Sequence, residues 1–439
     1  MPDEEQKSHG AIRPISDNLP AAFKKAGKLH LRPKSIYTKV ATLVLILMIL
    51  GLAATLFHHG RTPLKPMTPG AVEHSKKTGQ TNDTHPDRIR VLAAGDFIAH
   101  DSINANAKQA DGTYSYLPMM DSFTDIFHSA DIRFCNDANL NAGAQFGIAG
   151  YPKFNSPPEF ARDMDKVGCN MVNVGTNHSF DRNQDAINAS IDAWSKNTDT
   201  LAVVGHNRNQ TEHDSVHYFS IKGVKFAFLA YTTYLNTDAP AQNDYGVNVY
   251  SDGFAAQQIK TAKSNGAQII IVSIRWGVEY SPAISDAQKQ TAQFLADNGV
   301  SLILGHGSHV LEPAQRIVGA GGNKTVVWYS LGNFLNTQLP PETLFNGLAV
   351  IDYSRASQQI TAISFLPTYM QYEWTASQAR SQDLLARTNL RMYLLDDATQ
   401  AQIDAQQLPT TVDQQRSRIK AQLNTYLDIP LITRADYYK

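Results

Sequence analysis

Cysteine is scarce in this chain: only Cys135 and Cys169 occur in 439 residues. Net charge is nearly absent too, at −1. No basic stripe runs along the sequence, and without that electrostatic footprint a nucleic-acid partner is excluded. No internal repeat is present, so a repeat array is set aside. Long uncharged apolar runs are missing, with one exception near the N-terminus. The two cysteines flank apolar runs, Cys135 ending Ile132-Arg-Phe-Cys and Cys169 preceding Met171-Val-Asn-Val. An extracytoplasmic domain could oxidise them. If the two runs are parallel neighbouring strands, however, several residues at about 3.3 Å rise each separate the thiols. That is too far for a bridge, and the expectation is two buried free thiols.

The exception is the run at 40–57, which carries no charge. It is long enough to cross a bilayer, for which about 17–25 residues are needed. Lys24, Lys25, Lys28, Arg32, Lys34 and Lys39 precede it, and only Arg61 and Lys65 follow closely. The positive-inside rule then puts residues 1–39 in the cytoplasm and the main domain outside, in a single-pass membrane protein. A cleaved signal peptide is disfavoured by the long polar leader and the lack of a small-x-small cleavage pattern. Residues 58–87, rich in Pro, Thr, Gly, Lys and Asn, read as an extracellular linker.

From residue 88 onward strands and helices alternate. Helical patterns fall at 121–129, 158–167, 186–196, 255–265 and 286–298. Strand-like runs fall at 171–174, 201–204, 224–231, 268–274 and 301–304. Such alternation implies βαβ units. Runs at 325–329 and 347–353 follow without a helix between them, which suggests an antiparallel second sheet. Residues 371–439, rich in Gln, Ala, Arg, Asp and Leu, read as a helical C-terminal extension, with helices over 376–406 and 411–427.

Four apolar runs end on polar groups. Val91-Leu-Ala-Ala-Gly-Asp96 ends on a carboxylate, and Met171-Val-Asn-Val-Gly-Thr-Asn-His178 on an amide and an imidazole. Ile269-Ile-Ile-Val-Ser-Ile-Arg-Trp-Gly277 delivers Arg275, and Ser301-Leu-Ile-Leu-Gly-His306-Gly-Ser-His309 delivers two histidines. Ligand sites of α/β proteins lie at the C-terminal ends of strands. Asp96, Asn177, His178, Arg275, His306 and His309 are therefore expected to share one cleft.

In order, Gly-Asp, Asn-His, Arg275-Trp-Gly-Val-Glu-Tyr280, Gly-His-x-x-His-Val and Tyr329-Ser-Leu-Gly-Asn-Phe334 resemble the CapA capsule-synthesis family. That family includes the poly-γ-glutamate synthesis accessory proteins and is related to calcineurin-like metallophosphoesterases. The resemblance runs from about residue 88 to about 367, most of the chain, and marks out a domain at 88–370. It implies an α/β fold, a four-layer αββα metallophosphoesterase-like sandwich. It also implies metal positions at Asp96, Asn177, His306 and His309, and a leaving-group imidazole at His178. Arg275, Trp276 and Asn333 stand where substrate contacts are expected. Asn333 also occupies a tight turn in the family.

Two positions depart from the pattern. An ungapped count puts Ala138 where the family has a Glu. Asp137 is one residue early and would face the other way on an extended strand. Arg275 replaces a histidine and, always protonated, cannot ligate a cation. A two-metal centre is therefore not expected; one weakly held divalent ion (Mn, Zn or Mg), or none, fits better. Arginine among histidines and an Asp makes a pocket for carboxylate or phosphate instead. Glu279 is read either as an acceptor orienting Arg275 or as a plain surface residue. Asp181 is read either as a helix cap or as the partner setting the His178 tautomer. His100 is read as a loop histidine.

The leading functional reading is a CapA-like protein in capsule or poly-γ-glutamate-type polymer synthesis or export. Its expected partners are the anionic polymer or its precursor and membrane-embedded synthase subunits. The alternatives are an active surface phosphoesterase and a non-catalytic anion-binding scaffold.

Overall fold

The computed structural model describes residues 85–439 and the short strand Glu73–His74. The expected tail, the apolar run at 40–57 and nearly all of the linker lie outside the described residues. In chain order the strands are β1 (Glu73–His74), β2 (Arg88–Phe97), β3 (Ile132–Asp137), β4 (Met171–Asn173), β5 (Ala202–Val204), β6 (His217–Ile221), β7 (Val224–Thr232), β8 (Ile269–Arg275), β9 (Leu302–His306), β10 (Leu311–Val318), β11 (Lys324–Leu331), β12 (Asn333–Leu335), β13 (Phe345–Ser354), β14 (Gln359–Glu373) and β15 (Thr388–Leu394).

They form two mixed sheets. One has the order β1-β6-β7-β8-β9-β11-β10, the other β15-β14-β13-β2-β3-β4-β5, with β12 added beside β2. Period-2 alternation assigns each face. Phe226, Phe228, Ile269, Ile271, Leu302 and Leu304 join a core shared with the other sheet. Their chain neighbours Ala227, Leu229, Ile270, Val272 and Ile303 pack in a separate core under helices Asp252–Ser264 and Asp286–Asp297. Phe134 of β3 meets Phe228 of β7 edge to face, at 6.2 Å between centroids, where the sheets stack. Helices Glu159–Val167 and Gln184–Ser195 supply Phe160, Met164, Val167 and Trp194 to the shared core. The result is a mixed α/β sandwich, with every described element in one compact unit, 69–439.

Three expectations need correction. First, Cys135 and Cys169 form a disulfide, with Cα atoms 5.8 Å apart. β3 and β4 are parallel neighbours, with Cys135 level with Val172. Cys169, however, is not on the strand. Gly168, at φ +127°, ends helix Glu159–Val167, and the Cys169 amide still donates to the Met164 carbonyl. The chain has not yet straightened there, so counting strand rises overstates the separation.

Second, the runs at 325–329 and 347–353 do not share a second, antiparallel sheet but fall in different mixed sheets, β11 also pairing antiparallel with β10. β11 runs parallel to β9, while β13 pairs antiparallel with β2 and β14 in the other sheet. Third, residues 371–439 are not wholly helical. β15 closes the edge of β14, and Leu390, Met392, Leu394, Ile403, Ile419, Leu423 and Tyr437 are buried in the shared core. Alternation at Leu390, Met392 and Leu394 favours a strand, and burial against β14 outweighs the helical propensity of the flanking Gln and Ala residues.

Candidate functional site

The inter-sheet core turns polar where the strands end. Inward positions run from Phe134 to Asn136 on β3 and from Met171 to Asn173 on β4. They run from Ile271 through Ser273 to Arg275 on β8, and from Leu304 to His306 on β9. Asp96 on β2 sits level with Asn136 and with Asn333 of β12. Gly95 lets β2 approach so closely: a Cβ there would lie 2.0 Å from the Gly332 carbonyl oxygen.

These groups form a connected network. Asp96 Oδ1 accepts from the Asn136 amide (2.8 Å), and Asn136 accepts from Asn173 (2.8 Å). Asn173 also donates to His306 Nε2 (2.8 Å), which lies 3.0 Å from Ser273 Oγ. With Nε2 accepting, the His306 proton is on Nδ1, 3.7 Å from Asp96. Burial holds this imidazole neutral, its pKa down to about 4; Asp96 opposes the shift and Arg275 adds to it. His309 Nδ1 donates to Asp96 Oδ2 (2.9 Å) and lies 3.1 Å from Asn333 Oδ1. His309 has φ +64°, a conformation costly for a side-chain-bearing residue, and these contacts hold it there. Burial pushes the Asp96 carboxyl up. His309, His306 and Asn136 outweigh that, so its pKa is lowered and it stays a carboxylate.

Above this network opens a cleft of about 460 Å³, bordered by Asp96, Asn177, His178, Arg275, Glu279 and His309. His306 lies beneath its floor, fully buried. Arg275 is buried and clamped. Its Nη2 donates to Glu279 Oε1 (2.9 Å), and its guanidinium lies 4.3 Å from the centroid of the Tyr234 ring. Gly307 fits against it, since a Cβ there would lie 2.9 Å from Arg275 Nε. Arg275 Nε and Nη1 have no partner, nor does the side-chain amide nitrogen of Asn177. Buried donors left this way cost stability unless something accepts from them.

Asp181 accepts from His178 Nδ1 (2.6 Å) and from the Phe154 amide (2.7 Å). It does not cap the following helix, which starts at Gln184 under the Asn183 side chain. This pairing leaves His178 Nε2 as the accepting ring nitrogen, and the Asn236 side-chain amide donates to it (3.4 Å).

Two expected substrate contacts do not reach the cleft. Trp276 turns into the core under the outer helices, where its indole N–H donates to the Tyr329 carbonyl (2.7 Å). Asn333 is buried behind His309. Asp137 faces away, accepting from Trp194 (3.0 Å) and Asn141 on the opposite side of β3. Ala138 borders the cleft. Sequence reading passed over Asn136, Asn173 and Ser273, although a polar residue at an inward strand position was the available signal. His100 lies in irregular backbone, as expected, at the N-cap of helix Asp101–Ala107, but it lines the cleft, its Nδ1 accepting from the Thr337 amide (3.2 Å).

These residues do not fit a two-ion metal centre. Ala138 has no ligand atom, and Arg275 puts a permanent positive charge beside the histidines. The Nδ1 of His309 is spent on Asp96. Among the described residues no group of three or more His, Cys, Asp or Glu is arranged to hold a metal ion.

Residues 90–338, more than half of the chain, match the family described as bacterial capsule synthesis protein PGA_cap. The PGA biosynthesis protein CapA of Bacillus subtilis (strain 168) is 30% identical over 169 residues, 38% of this chain. The capsule biosynthesis protein CapA of Bacillus anthracis is 27% identical over 184 residues, 41% of this chain. Each match spans 43% of the relative's own length. Among solved structures, a phosphatase from Mycoplasma pneumoniae aligns with a TM-score of 0.40 and 11% identity, covering 64% of this chain and 93% of that one. The calcineurin-like phosphoesterase YfkN from Bacillus subtilis aligns with a TM-score of 0.38 and 15% identity, covering 64% and 90%.

Proposed function

Because the chain belongs to the bacterial capsule synthesis family PGA_cap, we propose that it acts outside the cytoplasmic membrane in the synthesis or export of an anionic surface polymer. In this reading the cleft binds an anionic group of the polymer or its precursor. One observation carries it: Arg275 is held rigid by Glu279 and Tyr234, yet keeps two buried nitrogens unpartnered, with the orphaned Asn177 amide on the same cleft. A carboxylate or phosphate oxygen supplies the acceptors these donors lack. His178, its tautomer set by Asp181, borders the same cleft, with Nε2 accepting from the Asn236 side-chain amide. The guanidinium supplies positive charge where the family resemblance implies a metal ion.

The location rests on the uncharged run at 40–57 with its one-sided cationic flank. Among the described residues no helix is long and apolar enough to cross a membrane. A buried disulfide suits an oxidising compartment. Protease added to intact cells should digest the main domain; protection until lysis would refute the topology. Membrane-embedded synthase subunits are the expected partners.

The functional test is binding. Short poly-γ-glutamate titrated into the full chain should bind at least tenfold more weakly to Arg275→Ala than to the unmodified protein. Equal affinities would remove Arg275 from the site and this reading with it.

A further inference from the structure

We propose that the ligand of this cleft is an amphiphilic anion: a phosphate or carboxylate carried on an extended apolar chain. The proposal rests on the anion-binding reading above and adds what the anion is attached to.

Floor and lip of the cleft differ in chemistry. The floor includes Arg275 and Asn177, whose buried donors lack partners. The lip is made of large apolar side chains left in water: Tyr151 is 77% exposed, Tyr280 48%, Leu384 44% and Leu339 39%. Scattered exposed apolar residues need no explanation, but several gathered on one opening mark a contact surface. Two of the four are aliphatic, and Pro340 continues the lip beside Leu339. A fully hydrated anion or a free inorganic ion gains nothing from such a lip. An anion on an apolar chain covers it and loses water from both partners. The cleft volume, about 460 Å³, falls within the roughly 300–1,000 Å³ of small-molecule sites.

The lip is also anchored. Leu384 comes from a 3-10 turn, Leu384–Ala386, beyond the 90–338 span that matches the family. Arg387 pins that turn from beneath. Its buried guanidinium lies 4.4 Å from the Tyr372 ring and 4.7 Å from the Trp374 ring, and it donates to the Thr337 carbonyl. The Thr337 amide in turn donates to His100. The Arg387 carbonyl accepts from Asn106 (2.8 Å). The C-terminal region thus contributes Leu384 to the wall of the cleft, and Arg387 holds that part of the wall fixed against the His100 side. A ligand meeting this wall meets preformed apolar surface, with little ordering cost.

The test is titration of the full chain with geranyl monophosphate, inorganic phosphate, glucose 1-phosphate and geraniol. Geranyl monophosphate should bind at least tenfold more tightly than inorganic phosphate or the sugar phosphate, and geraniol should bind least well. The double variant Tyr280→Ser/Leu384→Ser should bring geranyl monophosphate down to the level of inorganic phosphate. Arg275→Gln should weaken every anion. Equal affinity for geranyl monophosphate and inorganic phosphate overturns the amphiphile class while the anion site stands. So does a preference for the sugar phosphate, or a geranyl preference that survives in the double variant. If no anion binds at all, the anion-site reading itself fails.

Discussion

Beside a fixed guanidinium a divalent cation meets repulsion that neighbouring ligands do not remove. Arg275 and Ala138 stand at the two positions where the family resemblance implies other residues, a histidine and a glutamate, and both border the cleft. Restoring both, with Ala138→Glu and Arg275→His together, should raise Mn²⁺ affinity at least tenfold by calorimetry. Each single change should do less, because ligands around one site act as a unit. A double variant that binds no better than the unmodified chain would show that Ala138 does not occupy the acidic position. A second residue-scale consequence concerns pH. Burial pushes the Glu312 carboxyl up to about 8 from its ordinary 4.5, so the folded protein holds a proton there that the unfolded chain has released. Stability from this residue is full below about pH 4.5 and is lost as pH rises through 8. His100 and His206 go the other way. Burial lowers both to about 3, so their contribution is present above pH 6.5 and is lost as pH falls toward 3. His306, held at about 4, adds to that acid limb, while Asp137, raised to about 6, partly offsets it. Melting temperature should therefore peak near pH 6.5. Glu312→Gln should flatten the fall between pH 6.5 and 8; an unchanged alkaline slope would rule out a protonated Glu312.

At the scale of elements, the Cys135–Cys169 bridge ties β3 to the exit of the helix that precedes β4. It closes a loop of 34 residues. Constraining such a loop in the unfolded chain is worth about 3–4 kcal/mol in the chain-entropy picture. The non-reduced protein, unfolded in denaturant, should show no free thiol. Cys135→Ala/Cys169→Ala should lower the melting temperature by several degrees while leaving anion binding in place, since both sulfurs lie in the core. Two titratable thiols in the non-reduced sample would restore the free-thiol expectation. The difference between that expectation and the structure is a single turn at Gly168. A strand count assumes extended backbone, and Cys169 still belongs to the helix exit.

At the scale of the molecule, the last 65 or so residues are part of the fold. Ending the chain after Glu373 would expose the β14 edge that β15 covers. It would also uncover the core contacts of Leu390, Met392, Leu394 and Tyr437. The ion pair of Arg90 with Asp352 would lose its neighbour, the Tyr437 carbonyl that accepts from Arg90 (2.6 Å). An unpaired strand edge beside exposed apolar surface is an aggregation hazard. The truncated chain should be insoluble or lack a cooperative thermal transition. A soluble product with the parent's melting temperature would show that this region is an appendage.

The sequence by itself determined the family, the strand-helix alternation and most of the residues at the cleft. It did so because those features are local: an apolar run, the polar residue at its end, and a motif read in order. Asp96, Asn177, His178, Arg275 and His309 were legible at the cleft for that reason. What only the tertiary structure decided depends on which faces meet. Trp276 sits next to Arg275 in the chain but on the other face of the sheet, so one reaches the cleft and the other the core. Asn136 and Asn173 matter only because the second sheet sets His306 against them. Leu384 and Arg387 lie far along the chain from the motifs, and folding brings them to the cleft wall. Burial and long-range packing, not local pattern, assign those roles, because a side chain's surroundings are fixed only when distant strands close over it.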